Sequence, residues 1–234
     1  MDKIDCIYCI VHPTYEPDRT RKLVKQIEER LPEYPVNKIN ICAPTWGSTL
    51  TDELCFKVYD PWLPRPGWPS FTWKNRCMIK GEISLILNFY NAMKNAMENN
   101  YKQVLILESD VCLRNDFAER LTIILEKLEA RTEPWDYVSL SDGVGTHAPE
   151  YTGNYMAQTL CNPPHQYVFR CTDSMLFRTE IFNKIVNTIL PFRDCMDWEL
   201  NYQFLIHGGR GLWAEPHLVE QESEKNKCVS TLPS

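Results

Sequence analysis

Two carboxylates at the end of an apolar run, in QVLILESDV from Gln103 to Val111, are the residues best placed to do chemistry. Five residues with the character of a buried strand lead straight into Glu108-Ser109-Asp110, a pattern typical of a central parallel strand covered on both faces. Ligands of open α/β sheets bind just beyond the carboxyl ends of such strands. Two carboxylates there are costly unless they face water or hold a cation. One reading is an acidic motif that grips a divalent metal and, through it, a nucleoside diphosphate. The other is a strand end that turns into a helix cap.

The elements that must position this motif alternate along the chain. Ile4 to Val11 reads as a strand, the turn HPTYEPDR follows, and Arg19 to Leu31 has Leu23, Ile27 and Leu31 at helical spacing. Val36 to Cys42 and Cys55 to Tyr59 read as strands. Glu82 to Met97 is the clearest helix, with Ile83, Ile86, Leu87, Tyr90 and Met97 on one face. After QVLIL, Asn115 or Asp116 caps a helix that turns Phe117, Leu121, Ile124, Leu125 and Leu128 inward. Tyr137 to Leu140 and Tyr167 to Cys171 read as strands. Ile181 to Ile189 and Trp198 to Ile206 read as helices, the second stopped by Gly208-Gly209. GLWAEP reads as an edge strand. Two long loops, Asp60 to Lys80 and Ser141 to Gln166, break the rhythm, and loops of that length are usually functional lids or disordered. The expectation is a single α/β domain, residues 1–234, built as a doubly wound sheet with both loops at its ligand edge. Its donor half is about 1–112, its acceptor half about 113–225, and 226–234 is a tail.

Composition narrows the function. A length of 234 residues and 44% apolar content suit one sizeable core. A net charge of −6 argues against nucleic acid as a partner, because phosphate backbones need clustered Lys and Arg. Nothing near the start resembles a signal peptide and no apolar run is long enough to span a bilayer. The expected location is therefore the cytoplasm, or the host cytoplasm if the chain is viral. Of ten cysteines only Cys6 and Cys9 have C-x-x-C spacing, and three residues apart on a strand they point to opposite faces. We expect small buried thiols in a reducing compartment, without disulfides or zinc.

Four segments, in order, resemble glycosyltransferase family 25, the lipopolysaccharide and collagen type. They are HPTYEPDRTRKLVKQI, KGEISLILNFYNAMKNAMENNYKQVLILESDV, DSMLFRTEIFNKIVNTILPFRDCMDWELNYQFL and WAEPHLVEQES, covering about Ile4 to Ser223. The resemblance is to short, single-domain relatives of the kind found in bacteria and large algal viruses. It implies a GT-A type, Rossmann-like mixed sheet. It also implies a nucleotide-sugar donor, UDP-linked by preference, and assistance from Mn2+ or Mg2+. The family's acidic triplet is E-D-D, and Ser109 stands here in place of its middle Asp.

Glu108 and Asp110 thus remain as a Glu-x-Asp motif. Alternating residues leaving a strand face one side, and hard oxygen ligands suit both cations. Asp110 is the expected direct ligand, and Glu108 a second one or a partner of the ribose or of a metal-bound water. His217, after the GLWAEP strand, is either a further metal ligand or a surface histidine. Asp197 is the first candidate for the base that deprotonates the acceptor hydroxyl in an inverting transfer, with Glu199 second. Two apart on a helix they diverge by about 200°, so Glu199 otherwise binds acceptor or pairs with a basic residue. Against both, Asp194 and Asp197 have the spacing of an approximate capping box. Donor contacts fall to Val11 and His12 at the end of the first strand, to Arg19 and Lys80 for the diphosphate, and to Thr45 for the base. Trp62, Trp68, Phe71 and Trp73 in one loop are either an acceptor platform for sugar rings or anchors of that loop.

The leading reading is transfer of a sugar to a hydroxyl of a glycan or glycoprotein. A nucleotidyltransferase or methyltransferase would open with a glycine-rich turn, and HPTYEPDR has no glycine. A glycan-binding module that kept the fold and lost turnover is the rival outside enzymes, with Ser109 as its support.

Overall fold

In a computed structural model residues 3–68, 76–143, 145–148 and 158–222 are described. Strand β1 (Cys6–Ile10) leads into helix α1 (Pro17–Arg30), which starts on Pro17, a residue suited to the first helical position. A 3-10 turn and short strand β2 (Ile39–Ile41) replace the longer strand expected over Val36 to Cys42. Next come α2 (Asp52–Val58), α3 (Lys80–Glu98), β3 (Gln103–Glu108), β4 (Val111–Leu113), α4 (Phe117–Ala130) and β5 (Tyr137–Ser139). The chain continues with β6 (Thr159–Cys161), β7 (Ser174–Arg178), α5 (Phe182–Thr188), α6 (Met196–His207), β8 (Gly211–Glu215) and β9 (Val219–Gln221).

Seven strands form one mixed sheet in the order β2-β1-β3-β7-β5-β8-β6, and β4 pairs with β9 in a separate ladder. Strand β7 enters between β3 and β5 and runs antiparallel to both. Both halves of the chain therefore share one sheet. Alternation along the strands feeds two cores. Cys6, Tyr8, Val104, Ile106, Met175 and Phe177 pack with α3, α5 and α6 on one face. Ile7, Cys9, Leu105, Leu107 and Leu176 pack with α1 and α4 on the other. This is a doubly wound, Rossmann-like α/β fold. Cys6 and Cys9 do point to opposite cores. No helix among the described residues is long and apolar enough to cross a membrane.

Several elements differ from the sequence reading. Cys55 to Tyr59 is helical because the Thr51 hydroxyl accepts the Leu54 N–H at 3.2 Å and Asp52 and Glu53 fill the first turn of α2. Tyr167 to Cys171 is not a strand. The Asn201 side chain takes the place of a neighbouring strand by bonding both the N–H and the C=O of Phe169, each at 3.0 Å. The strand of this region is β7, a few residues later. β8 is not at the edge, since β6 covers it. α6 starts at Met196 after Cys195, without a capping box, and ends as expected on Gly208 at φ 65°, a left-handed position where glycine carries no Cβ penalty.

Candidate functional site

Parallel pairing of β1 with β3 sets Ile10 opposite Glu108, so the first and third strands end together. Between these ends, α1, the loop after β2 and the start of α3 lies a cleft of about 450 Å3. Val11, His12, Arg19, Lys80, Glu108, Ser109 and Asp110 all line it. The loop is fixed hard against α3, since a Cβ on Gly47 would sit 2.7 Å from the Gly81 nitrogen. Thr45 does not line the cleft. It braces the loop from behind, its hydroxyl 2.8 Å from Asn88 Oδ1 and 2.9 Å from Ser84 Oγ. α3 presents its N-terminus through Ile79, Lys80 and Gly81, and Glu82 Oε2 caps the Ile79 N–H at 2.9 Å. Lys80 is turned to the surface, where it bonds Asp52 at 2.7 Å and the Leu50 carbonyl at 2.8 Å.

Carboxyl groups gather where β3 and β7 meet. Burial raises the Glu108 carboxyl to about 8, Asp110 adds to the rise, the Thr172 hydroxyl donating at 2.6 Å opposes it, and Asp173 and Asp197 add further. Burial also raises Asp173 to about 6, against hydrogen bonds from Ser141 at 2.6 Å and the Ser174 N–H at 2.9 Å, with Asp110 contributing. Asp173 is buried, and its Oδ2 has no hydrogen-bond partner among the described residues. Asp197, in the first turn of α6, is pushed up by burial and steadied by the Cys195 thiol at 3.1 Å and the Trp198 N–H at 2.9 Å. Glu108, Asp110, Asp173 and Asp197 thus share one acidic corner that opens to the cleft at Glu108 and Asp110. Among the described residues no three His, Cys, Asp or Glu side chains are arranged to enclose an ion. Such a donor set fits a hard cation held by one or two carboxylates, with phosphate and water completing its shell.

Ser109 has its own partners. Its hydroxyl accepts from Arg19 at 3.1 Å and donates to Glu16 at 3.4 Å, while Glu16 also accepts the His12 N–H at 3.2 Å. Glu199 is fully buried and held by Arg65 at 2.6 Å through both oxygens, by the Arg193 N–H at 3.1 Å and by Gln203 at 3.3 Å. Of the roles open to it, the structural partner of a basic residue is the one seen. His217 lies outside the cleft lining, its ring nitrogens 3.6 Å from Asp142 and 3.8 Å from Glu220, and burial lowers its basicity against the pull of Asp142. In the aromatic loop Trp68 is buried among Tyr167, Trp198 and Tyr202, an anchor, whereas Trp62 is 85% exposed. Phe71 and Trp73 lie outside the described residues.

Sequence reasoning passed over Glu16, Trp46, Asp173 and Gln221. Trp46 lines the cleft, stacked on Tyr15 with centroids 5.1 Å apart and met edge-on by His12. Gln221 reaches Asp110 from β9. Glu16, Asp173 and Gln221 sit inside segments already singled out, Gln221 as the last residue of a Pro-x-Leu-Val-x-Gln element, but the sequence assigns them no role.

Fold and cleft together define a Rossmann-like α/β protein with an acidic site at the carboxyl ends of its strands. No family model matches the chain. Over 75 residues, 32% of the chain, it is 31% identical to the probable inactive glycosyltransferase 25 family member 3 of Bos taurus. It is 29% identical, over the same length, to the inactive glycosyltransferase 25 family member 3 of Homo sapiens. The match spans 12% of each relative's length. The likeness to glycosyltransferase 25 family members is thus confined to this segment.

Proposed function

We propose that the protein is a metal-dependent glycosyltransferase that moves a sugar from a nucleoside diphosphate donor, UDP-linked by preference, to a hydroxyl of a glycan or glycoprotein. The observation that carries this reading is the acidic corner. Several carboxylates, one with an unpartnered buried oxygen, converge beside a cleft at the carboxyl ends of parallel strands. Asp110 is the direct ligand of Mn2+ or Mg2+, with Glu108 beside it. The cation, when bound, supplies the positive charge that offsets the departing diphosphate. Arg19 and the N–H groups at the start of α3 attract the phosphates from the other wall. Trp46, Tyr15 and His12 offer aromatic surface to the nucleobase. Asp197 takes the proton of the acceptor hydroxyl, and its raised pKa brings it closer to the working pH of a base.

The test is thermal stabilisation by UDP, GDP, CDP and ADP, each with and without Mn2+, since a ligand of the folded state raises stability by RT ln(1 + [L]/Kd). A shift with one diphosphate that requires the metal, followed by product from its sugar nucleotides, is the expected result. That both relatives are named inactive favours a second reading, a glycan-binding module without turnover. No shift with any nucleotide, together with binding to a glycan array, would establish that alternative.

A further inference from the structure

Strand β9 ends against the acidic motif, although Gln221 stands 111 residues beyond Asp110 in sequence. Its pairing with β4 sets Gln221 opposite Val111, the residue after Asp110. The Glu222 N–H donates to the Asp110 carbonyl at 2.8 Å, which carries the ladder one rung further. From this position Gln221 Nε2 lies 3.3 and 3.5 Å from the two carboxylate oxygens of Asp110. An ionised carboxylate only accepts hydrogen bonds, while Oε1 at the other end of the amide faces the Cys171 thiol at 3.6 Å. The N–H end is therefore the one that meets the carboxylate.

We infer that Gln221 is a positioning residue that orients the Asp110 carboxylate for a divalent cation without neutralising it. The inference rests on the proposed metal-dependent reading. Glu108 and Asp110 line the same cleft, so a cation shared between them needs the Asp110 carboxylate held at one angle. A lysine or arginine in place of Gln221 would hold Asp110 equally well, but would put its own positive charge where the cation must go. An amide supplies donors and no charge. It fixes the carboxylate and leaves the site's negative charge for the ion, which is the usual task of residues behind a ligand. The same strand is tied down by Glu222, which pairs with Lys22 of α1, so the amide approaches on a braced backbone.

The experiment compares the full chain with Gln221→Ala and Gln221→Lys. Mn2+ affinity is read by electron paramagnetic resonance of the free ion at fixed UDP, and melting temperature is read in chelator. Gln221→Ala should weaken Mn2+ binding by about ten- to a hundredfold. Gln221→Lys should weaken it further, yet melt no lower than the parent, because its ammonium relieves the crowded charge. A residue that merely packs would show the reverse, with lost melting temperature and unchanged Mn2+ affinity, and that result overturns the inference. So does parental Mn2+ affinity in both variants. If the parent itself binds no Mn2+, the metal-dependent reading falls along with it.

Discussion

Replacing Glu108 by glutamine should stabilise the metal-free protein, by an amount that grows with pH. Folding carries the Glu108 carboxyl from 4.5 to about 8. At about 1.4 kcal/mol per tenfold change in proton affinity, ionising it costs about 5 kcal/mol more in the folded chain than in the unfolded one. Glu108 opens on the cleft, where water screens the charge, so about 2–3 kcal/mol is the expected size. The sign follows from a raised carboxyl. Its stabilising contribution is complete below pH about 4.5, where both states are protonated, and is lost as pH rises through about 8. The substituted amide does not titrate, and its oxygen still accepts the Thr172 hydroxyl. In chelator, the melting temperatures of parent and Glu108→Gln should nearly coincide at pH 5. They should separate by about 5–10 °C at pH 9, the span that 2–3 kcal/mol moves a chain of this size. Differential scanning calorimetry at half-unit steps of pH is the assay. Added Mn2+ should restore much of the parent's deficit and none of the variant's. A gap that stays constant from pH 5 to 9 refutes the idea that burial and the neighbouring carboxyl groups raise Glu108.

Three further outcomes follow from the same geometry. Asp197→Asn should lower turnover by about a hundredfold or more while Mn2+-dependent UDP affinity, measured calorimetrically, stays within about twofold. Glu199→Ala leaves Arg65, whose side chain is 1% exposed, without its counter-charge, and should cost about 3–5 kcal/mol in urea unfolding. Trp46→Ala should weaken UDP binding by about tenfold, in line with the ~1–3 kcal/mol of base–aromatic stacking, and leave binding of Mn2+ with pyrophosphate as it was.

Periodicity made α1, α3, α4 and β3 legible, because each carries its apolar residues at the spacing its core demands. The turn chemistry of Gly208-Gly209 made the end of α6 legible too. What stayed hidden depends on partners distant in sequence. Phe169 looks like part of a strand, and only the amide of Asn201, 32 residues later, shows why it needs none. Cys55 to Tyr59 alternates like a strand, and the Thr51 cap outweighs that pattern. At the site, the end of an apolar run pointed to Glu108 and Asp110, whereas Asp173 precedes a strand that was placed too early. Gln221 closes the Pro-x-Leu-Val-x-Gln element of WAEPHLVEQES, but its place beside Asp110 comes from the register of β9 on β4. The residue type of His217 left a ligand and a surface histidine both open, and only the fold shows that Asp142 and Glu220 are its neighbours.

The charge balance of the acidic corner bears on whether the protein turns over substrate. Burial raises the proton affinity of Glu108, Asp173 and Asp197, and the charge of Asp110 adds to the rise at the first two. The empty fold is therefore less stable for having them. Any of the three could become an amide of the same shape, with its hydrogen bonds from Thr172, Ser141 or Trp198 intact, and the fold would gain stability. A binding module that recognises glycans through aromatic rings and amides has no use for such a corner. Strain of this kind persists where a function draws on it, and a cation beside a diphosphate draws on it directly. Ser109 does not count against this, because its hydroxyl joins Arg19 to Glu16 at the cleft wall and leaves Glu108 and Asp110 on the open side. The corner is therefore the feature on which the proposed metal-dependent reading depends. The chelator and Mn2+ arms of the Glu108→Gln experiment measure that same balance before any sugar donor is known.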